Sequence, residues 1–179
     1  MAQVQRLNHI GLTAADLDAS LAFWRDAVGL RELGRGVVEW EHLDRIVGLD
    51  GTAIEWAELE FPGGAILELF RYRRPAGDPL PAGGINRPGM THICLEVDEI
   101  ERVAERLQAA GYRARSRELV TIPRGAYKGY KCIYFLAPDG VTLELDERPG
   151  TNFSTDSAGP EQPNAKRTGH FDQEAGHHG

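Results

Sequence analysis

Four side chains recur at spacings that would let them act together. His9 lies in LNHIGLTAADL (Leu7–Leu17) and His92 in GMTHICLEVDEI (Gly89–Ile100). His9-Ile10-Gly11-Leu12 lines up with His92-Ile93-Cys94-Leu95, 83 residues on. Glu68 sits in FPGGAILEL (Phe61–Leu69) and Glu144 in APDGVTLEL (Ala137–Leu145), 76 residues apart. Pro62, Gly64 and Leu69 fall on Pro138, Gly140 and Leu145 at the same offset, so the chain carries an internal duplication. Two imidazoles and two carboxylates suit Zn²⁺, Ni²⁺, Co²⁺, Mn²⁺ or Fe²⁺, with positions left open for water or substrate. Taken singly, each His reads as a structural histidine, and each Glu of a Leu-Glu-Leu run as a solvent-facing residue. Their return at equivalent points of both copies favours a shared metal site.

The elements that must position them follow from periodicity. Arg6–Thr13 alternates as a strand, with Leu7 and His9 on one face and Ile10 and Leu12 on the other. Asp16 or Thr13 can cap an amphipathic helix over Leu17–Val28, in which Leu17, Leu21, Trp24 and Val28 share a face, and Gly29 ends it. Leu30–Leu33 begins a second strand. Gly34–Gly51, which holds Trp40, His42, Asp44 and Arg45, reads as a surface loop, a short helix around Glu41–Val47, or an entrance loop to an active site. Thr52–Phe61 and Ala65–Tyr72 form a hairpin across Pro62-Gly63-Gly64. Residues 1–72 thus make one β-α-β-β-β module. Arg73–Pro88, with four prolines and three glycines, reads as a linker.

Residues 89–148 repeat the plan: a strand over Thr91–Val97, a helix with Ile100, Val103, Ala104 and Leu107 on one face, and a stop at Gly111. A short strand over Tyr112–Ser116, a loop over Glu118–Tyr130, and a hairpin of Tyr130–Leu136 and Gly140–Asp146 complete it. From 149 to 179 the composition turns polar and aperiodic. This stretch reads as a disordered tail in which His170, His177 and His178 have no assigned role. A four-stranded sheet covered by one helix has one bare face, and two copies can hide those faces against each other.

The bulk numbers limit the function classes. A net charge of −7 argues against a nucleic-acid surface. No apolar run is long enough to span a membrane, MAQVQRLNHI lacks the apolar core of a secretory signal, and the expected compartment is the cytoplasm. The two cysteines, Cys94 and Cys132, lie in apolar strand-like runs and read as buried free thiols, although spacing alone leaves a disulfide open.

The chain resembles the vicinal oxygen chelate superfamily, which includes glyoxalase I, methylmalonyl-CoA epimerase, extradiol dioxygenases, fosfomycin-resistance enzymes and bleomycin-resistance proteins. The resemblance covers about Arg6–Arg148. It is carried by LNHIGLTAADLDASLAFWRDAVGL, GMTHICLEVDEI and YFLAPDGVTLEL. It implies an α+β fold in which two βαβββ modules form a cupped, eight-stranded mixed sheet with helices outside. It also implies one divalent metal ion per site (Ni, Co, Zn, Mn or Fe), held by His9, Glu68, His92 and Glu144. The full set is most similar to glyoxalase I; the epimerases commonly have Gln where this chain has Glu68.

The activity implied is that of an isomerase or lyase. The metal polarises a substrate oxygen beside an acidic C–H, and a carboxylate takes the proton and returns it, Glu144 first and Glu68 second. Two alternatives stay open. One is an extradiol-type dioxygenase using Fe(II) or Mn(II) on His9, His92 and Glu144, with His42, Tyr130 or Tyr134 as acid–base. The other is a metal-free drug-binding protein with Trp40, Trp56, Tyr127 and Tyr130 lining a cleft. Substrate-binding candidates are Trp40, Arg124, Tyr127, Lys128 and Tyr130, with Arg124 and Lys128 suited to a carboxylate or phosphate. The expected partners are a small-molecule substrate and a second copy of the chain in a homodimer. The site is built within one chain, or across two with His9 and Glu68 from one and His92 and Glu144 from the other.

Overall fold

The computed structural model describes residues 3–78 and 84–150. Residues 79–83 of the expected linker and the whole stretch 151–179, with its three histidines, lie outside the described residues. The chain divides into two compact units. The first takes 3–21 and Leu30–Asp78, and the second takes Ala22–Gly29 with 84–150.

The first unit is a four-stranded mixed sheet in the order β1-β4-β3-β2, built from β1 (His9–Thr13), β2 (Arg31–Val38), β3 (Ala53–Glu60) and β4 (Ile66–Arg74). β1 runs parallel to β4, and the other pairs are antiparallel. Helix α1 (Leu17–Leu21) starts at Asp16, whose carboxylate accepts from Ala19 N–H at 3.0 Å. Its buried Leu17 and Leu21 pack on β3 and β4, whose Ala57, Leu59, Leu67 and Leu69 are fully enclosed. Helix α2 (Glu41–Val47) ends at left-handed Gly48. The short-helix reading of that stretch is the one that forms. Leu43 and Val47 of α2 pack with Val38, Ile54, Trp56, Phe70 and Tyr72.

The second unit repeats the topology as β5-β8-β7-β6, from β5 (His92–Glu96), β6 (Val120–Thr121), β7 (Lys131–Leu136) and β8 (Thr142–Glu147). Helix α3 (Ile100–Ala109) buries Ile100, Ala104 and Leu107. Glu147 of β8 accepts from Ile100 N–H at 2.8 Å, supplying the N-terminal partner that α3's own side chains do not. Phe23 and Trp24 belong to this core. They lie on a wide-turn, π-helical segment, Ala22–Val28, that continues α1. The single α-helix expected over Leu17–Val28 therefore changes geometry at Ala22. Phe23 meets Tyr112 edge to face at 4.7 Å, and Arg106 donates to the carbonyls of Ala27 and Val28.

Three further expectations need correction. Tyr112–Ser116 forms no strand, only a single bridge between Ala114 and Phe135. The fourth strand is instead Val120–Thr121, inside the expected loop, where it pairs with Cys132 and Lys131. Cys94 is exposed rather than buried and Cys132 is half-buried; both are free thiols. Strand alternation explains Cys94, since it shares a face with His92 and Glu96, whereas Ile93 and Leu95 turn the other way.

Candidate metal centre

The first unit brings His9 and Glu68 together through strand register. His9 lies opposite Ile66 and Gly11 opposite Glu68 on the parallel ladder, so His9 and Glu68 share a face one step apart. His9 Nε2 is 3.3 Å from Glu68 Oε2, and its Nδ1 is 3.0 Å from Asn8 Oδ1. The second unit repeats the arrangement. His92 lies opposite Thr142 and Cys94 opposite Glu144, and His92 Nε2 is 3.0 Å from Glu144 Oε2. Two donors bound to one metal at about 2.0–2.2 Å stand roughly 3 Å apart. Each pair has that separation and the nitrogen–oxygen donors of a borderline divalent cation, so the residues fit such a group. A direct imidazole–carboxylate hydrogen bond also satisfies the distance.

Around each pair the two units differ. In the first, Glu58 lies directly opposite Glu68 on β3, and Trp56 lies opposite Phe70. Glu58 and Glu68 are only 8% and 5% exposed. Trp56 lies flat over Gly34 and Gly36, where a Cβ on Gly36 would stand 3.1 Å from the indole nitrogen. In the second unit the matching positions are Tyr134 opposite Glu144 and Cys132 opposite Asp146. The Tyr134 ring stacks on His92 with centroids 6.0 Å apart. Its hydroxyl bonds Glu144, and burial first, then that carboxylate, pushes its pKa up. Cys132 Sγ donates to Glu144 Oε1 at 3.4 Å. Cys94 is exposed as a residue, but its thiol is partly desolvated against the sheet; that desolvation, then the charges of Asp146 and Glu144, pushes it up to about 12, and burial and the same two carboxylates also raise Cys132. Two buried polar atoms of β8, Thr142 Oγ1 and Asp146 Oδ1, have no hydrogen-bond partner among the described residues.

The other expected residues fall in two groups. Trp40 precedes α2 and is 40% exposed, and His42 Nδ1 lies 2.6 Å from Arg45 within α2. Arg124, Tyr127 and Lys128 are exposed on the loop before β7; Tyr127 packs edge to face on half-buried Tyr130, over which the Arg148 guanidinium sits at 5.8 Å. Trp56 is buried, packed with Leu43 and Val47 of α2. Sequence reasoning did not single out Glu58, Asp146 or the two thiols as chemistry. The 76-residue offset applied to β3 places Glu58 on Tyr134 and Trp56 on Cys132, and was the signal available.

Comparison with known proteins agrees with this architecture. A family model described as Glyoxalase/Bleomycin resistance protein/Dioxygenase superfamily matches residues 6–145. An ethylmalonyl-CoA/methylmalonyl-CoA epimerase of Cereibacter sphaeroides is 31% identical, over 80% of this chain and 98% of its own. Among solved structures, a glyoxalase family protein from Bacillus cereus superposes with a TM-score of 0.72 at 23% identity, over 82% and 95% of the two chains. A fosfomycin resistance protein from Listeria monocytogenes, complexed with Mn(II) and sulfate ion, does so with a TM-score of 0.53 at 20% identity, over 84% and 96%. The chain belongs to the glyoxalase/bleomycin resistance protein/dioxygenase superfamily.

Proposed function

We propose that this protein is a divalent-metal-dependent isomerase or lyase of the epimerase–glyoxalase type, acting on a small molecule with an acidic C–H beside a carbonyl or thioester. The observation that carries the reading is the repeated His–Glu pair, at 3.3 Å in one sheet and 3.0 Å in the other, on equivalent strand positions. His9, Glu68, His92 and Glu144 are the proposed ligands of one divalent metal. Bound there, the metal supplies Lewis-acid stabilisation for the oxygen that gains charge as the C–H breaks. The epimerase relative supports an acyl-CoA as the substrate class, and the manganese-bound neighbour supports a divalent cation.

The chain's own groups handle the proton. Glu144 is the first choice of base. Its Oε2 faces His92, while its Oε1 accepts from Cys132, and Tyr134 also bonds the carboxylate, so the group is oriented from three sides. Glu68 is the second choice, and buried Glu58 beside it adds a carboxylate for proton return. Arg124 and Lys128 are the proposed grip for an acidic part of the substrate, with Trp40, Tyr127 and Tyr130 as flat contact surfaces. The active species is proposed to be a homodimer working in the cytoplasm.

Elemental analysis of purified wild type, Glu68→Ala and Glu144→Ala tests this. Near-stoichiometric metal lost in both variants, with solvent deuterium entering the α-carbon of an acyl-CoA epimer, is the expected result. A dioxygenase is the second reading, favoured by Tyr134 standing against both His92 and Glu144. It would show as iron or manganese surviving Glu68→Ala, with oxygen consumed on a catechol. Absence of metal, and of uptake on adding any, would refute both.

A further inference from the structure

Next to the His92–Glu144 pair, the second unit's sheet carries a patch that the first unit lacks. Cys94, Glu144 and Asp146 each offer a ligand atom, and these atoms all lie within 4.8 Å of one another. Cys132 closes the group from the far side of β8, with Sγ 3.4 Å from Glu144 Oε1 and its backbone directly opposite Asp146 on the ladder. The equivalent positions in the first unit are Gly11, Phe70 and Trp56, which offer no ligand atom suited to a divalent cation.

Three features of this patch point to a cation. One Asp146 oxygen, Oδ1, is buried with no hydrogen-bond partner among the described residues. Two basic side chains on the flanking strands have carboxylate partners outside the group: Arg148 pairs with Glu96, and Lys131 with Glu101 and Glu147. The two thiols cannot satisfy each other. Cys94 and Cys132 flank the central strand β8, so their backbones stand two strand spacings, about 9.5 Å, apart. A disulfide needs Cα atoms within about 7 Å.

We propose that Cys94, Cys132, Glu144 and Asp146 form a binding site for a thiophilic divalent cation of the Zn²⁺ or Cd²⁺ class. Two sulfurs and two carboxylate oxygens are the donor set of a soft to borderline, four-coordinate ion, and a harder ion such as Mg²⁺ gains nothing from the thiols. Ligand atoms of such a site lie about 3.3–3.8 Å apart, so the present spacing closes by roughly 1 Å of side-chain rotation. A cation there also reverses the local electrostatics that favour the protonated thiols. All four ligands belong to one sheet, so the site does not rest on the four-ligand centre proposed above. It shares Glu144 with that centre and competes with it.

The test is titration of the metal-free, full-length protein with Cd²⁺ and, separately, Co²⁺, reading sulfur-to-metal charge-transfer absorption. Sulfur alone gives this signal, so histidines of the 151–179 stretch do not contribute. A band saturating near one equivalent is expected, abolished in Cys94→Ser and shifted at least tenfold to weaker binding in Cys132→Ser and Asp146→Asn. His9→Ala and Glu68→Ala should keep the band, at equal or tighter apparent affinity because the competing centre is disabled, while removing metal from the proposed four-ligand centre, which separates the two claims. In wild type, one equivalent of Cd²⁺ should slow maleimide labelling of the thiols at least tenfold; this readout needs no variant to fold. Absence of a sulfur band, a band that survives Cys94→Ser, or thiols labelled as fast with Cd²⁺ as without it would overturn the proposal.

Discussion

Glu58 faces Glu68 directly across the β3–β4 ladder, and both carboxylates are almost fully withdrawn from solvent. Like charges opposite one another destabilise a sheet by roughly 0.2–1 kcal/mol where exposed, and burial raises that cost. His9 lies against Glu68, and among the described residues no side-chain bond to Glu58 is found. Without metal, Glu58→Gln should therefore raise the melting temperature, by about 2–4 °C for each kcal/mol of repulsion removed. With a divalent cation held at the proposed centre the gain should shrink, because the cation would offset the repulsion. A lower melting temperature for the metal-free variant would show that Glu58 is held favourably and the repulsion argument is wrong.

The same ladder shows what the sequence could and could not reveal. The duplication made both His–Glu pairs legible, because equal strand periods carry a residue to the same face in each copy. The bounds of α2 were legible as one of three readings of a loop between glycines. The exposure of Cys94 follows from alternation, which sets it with His92 and Glu96, and not from the apolar composition of ICLEV. The wide turn at Ala22 was not legible: Leu17, Leu21 and Trp24 fit an α-helical spacing, and their tertiary partners lie in different units. The two-residue strand β6 lies in residues 119–122, whose β-branched Val120, Thr121 and Ile122 favour a strand, but Pro123, Gly125 and Gly129 just beyond make the whole stretch read as a loop.

Asp139 is a second point where one side chain holds distant parts of the chain. Its Oδ2 accepts from the fully buried Trp24 indole N–H at 3.1 Å, from the tight turn before β8. Its Oδ1 accepts from Val141 N–H at 3.3 Å. Asp139→Ala leaves the indole donor unsatisfied, a cost of about 1–3 kcal/mol. Chemical denaturation should show that loss with an unchanged denaturant slope. A change under about 0.5 kcal/mol, the range of surface substitutions, would mean that the Trp24 bond contributes little.

Gly36 and Gly34 make a paired test of the seat under Trp56. A methyl group at Gly36 meets the indole at 3.1–3.2 Å, and one at Gly34 meets it at an ordinary 3.5 Å. Trp56 is closed in from the other side by Leu43, Ile54 and Val38, so it cannot retreat freely. Gly36→Ala should cost about 1–3 kcal/mol by overpacking and shift tryptophan fluorescence, while Gly34→Ala should do neither. Equal tolerance of both would show that α2 yields and that the cluster is loosely packed.

Asp44 ties α2 to the start of β3. Its carboxylate accepts from Thr52 N–H at 2.7 Å and from Gly51 N–H at 2.8 Å, and its own carbonyl accepts from Gly48 N–H at 2.8 Å. The Thr52 bond first, then the Gly51 bond, holds the Asp44 carboxyl below the usual carboxylate range. A group whose pKa is lower folded than unfolded stabilises the fold fully above the unfolded value, about 3.9, and loses that contribution as pH falls through the lower folded value. The stability difference between wild type and Asp44→Ala should therefore be constant near neutral pH and shrink below about pH 4. Amide exchange at Gly51 and Thr52, corrected for its intrinsic pH dependence, should be faster in the variant at pH 7 and converge with wild type in acid. If the difference persists undiminished well below that range, the ionised carboxylate is not what secures α2, and the packing of Leu43 and Val47 on Trp56 and its neighbours carries the attachment instead.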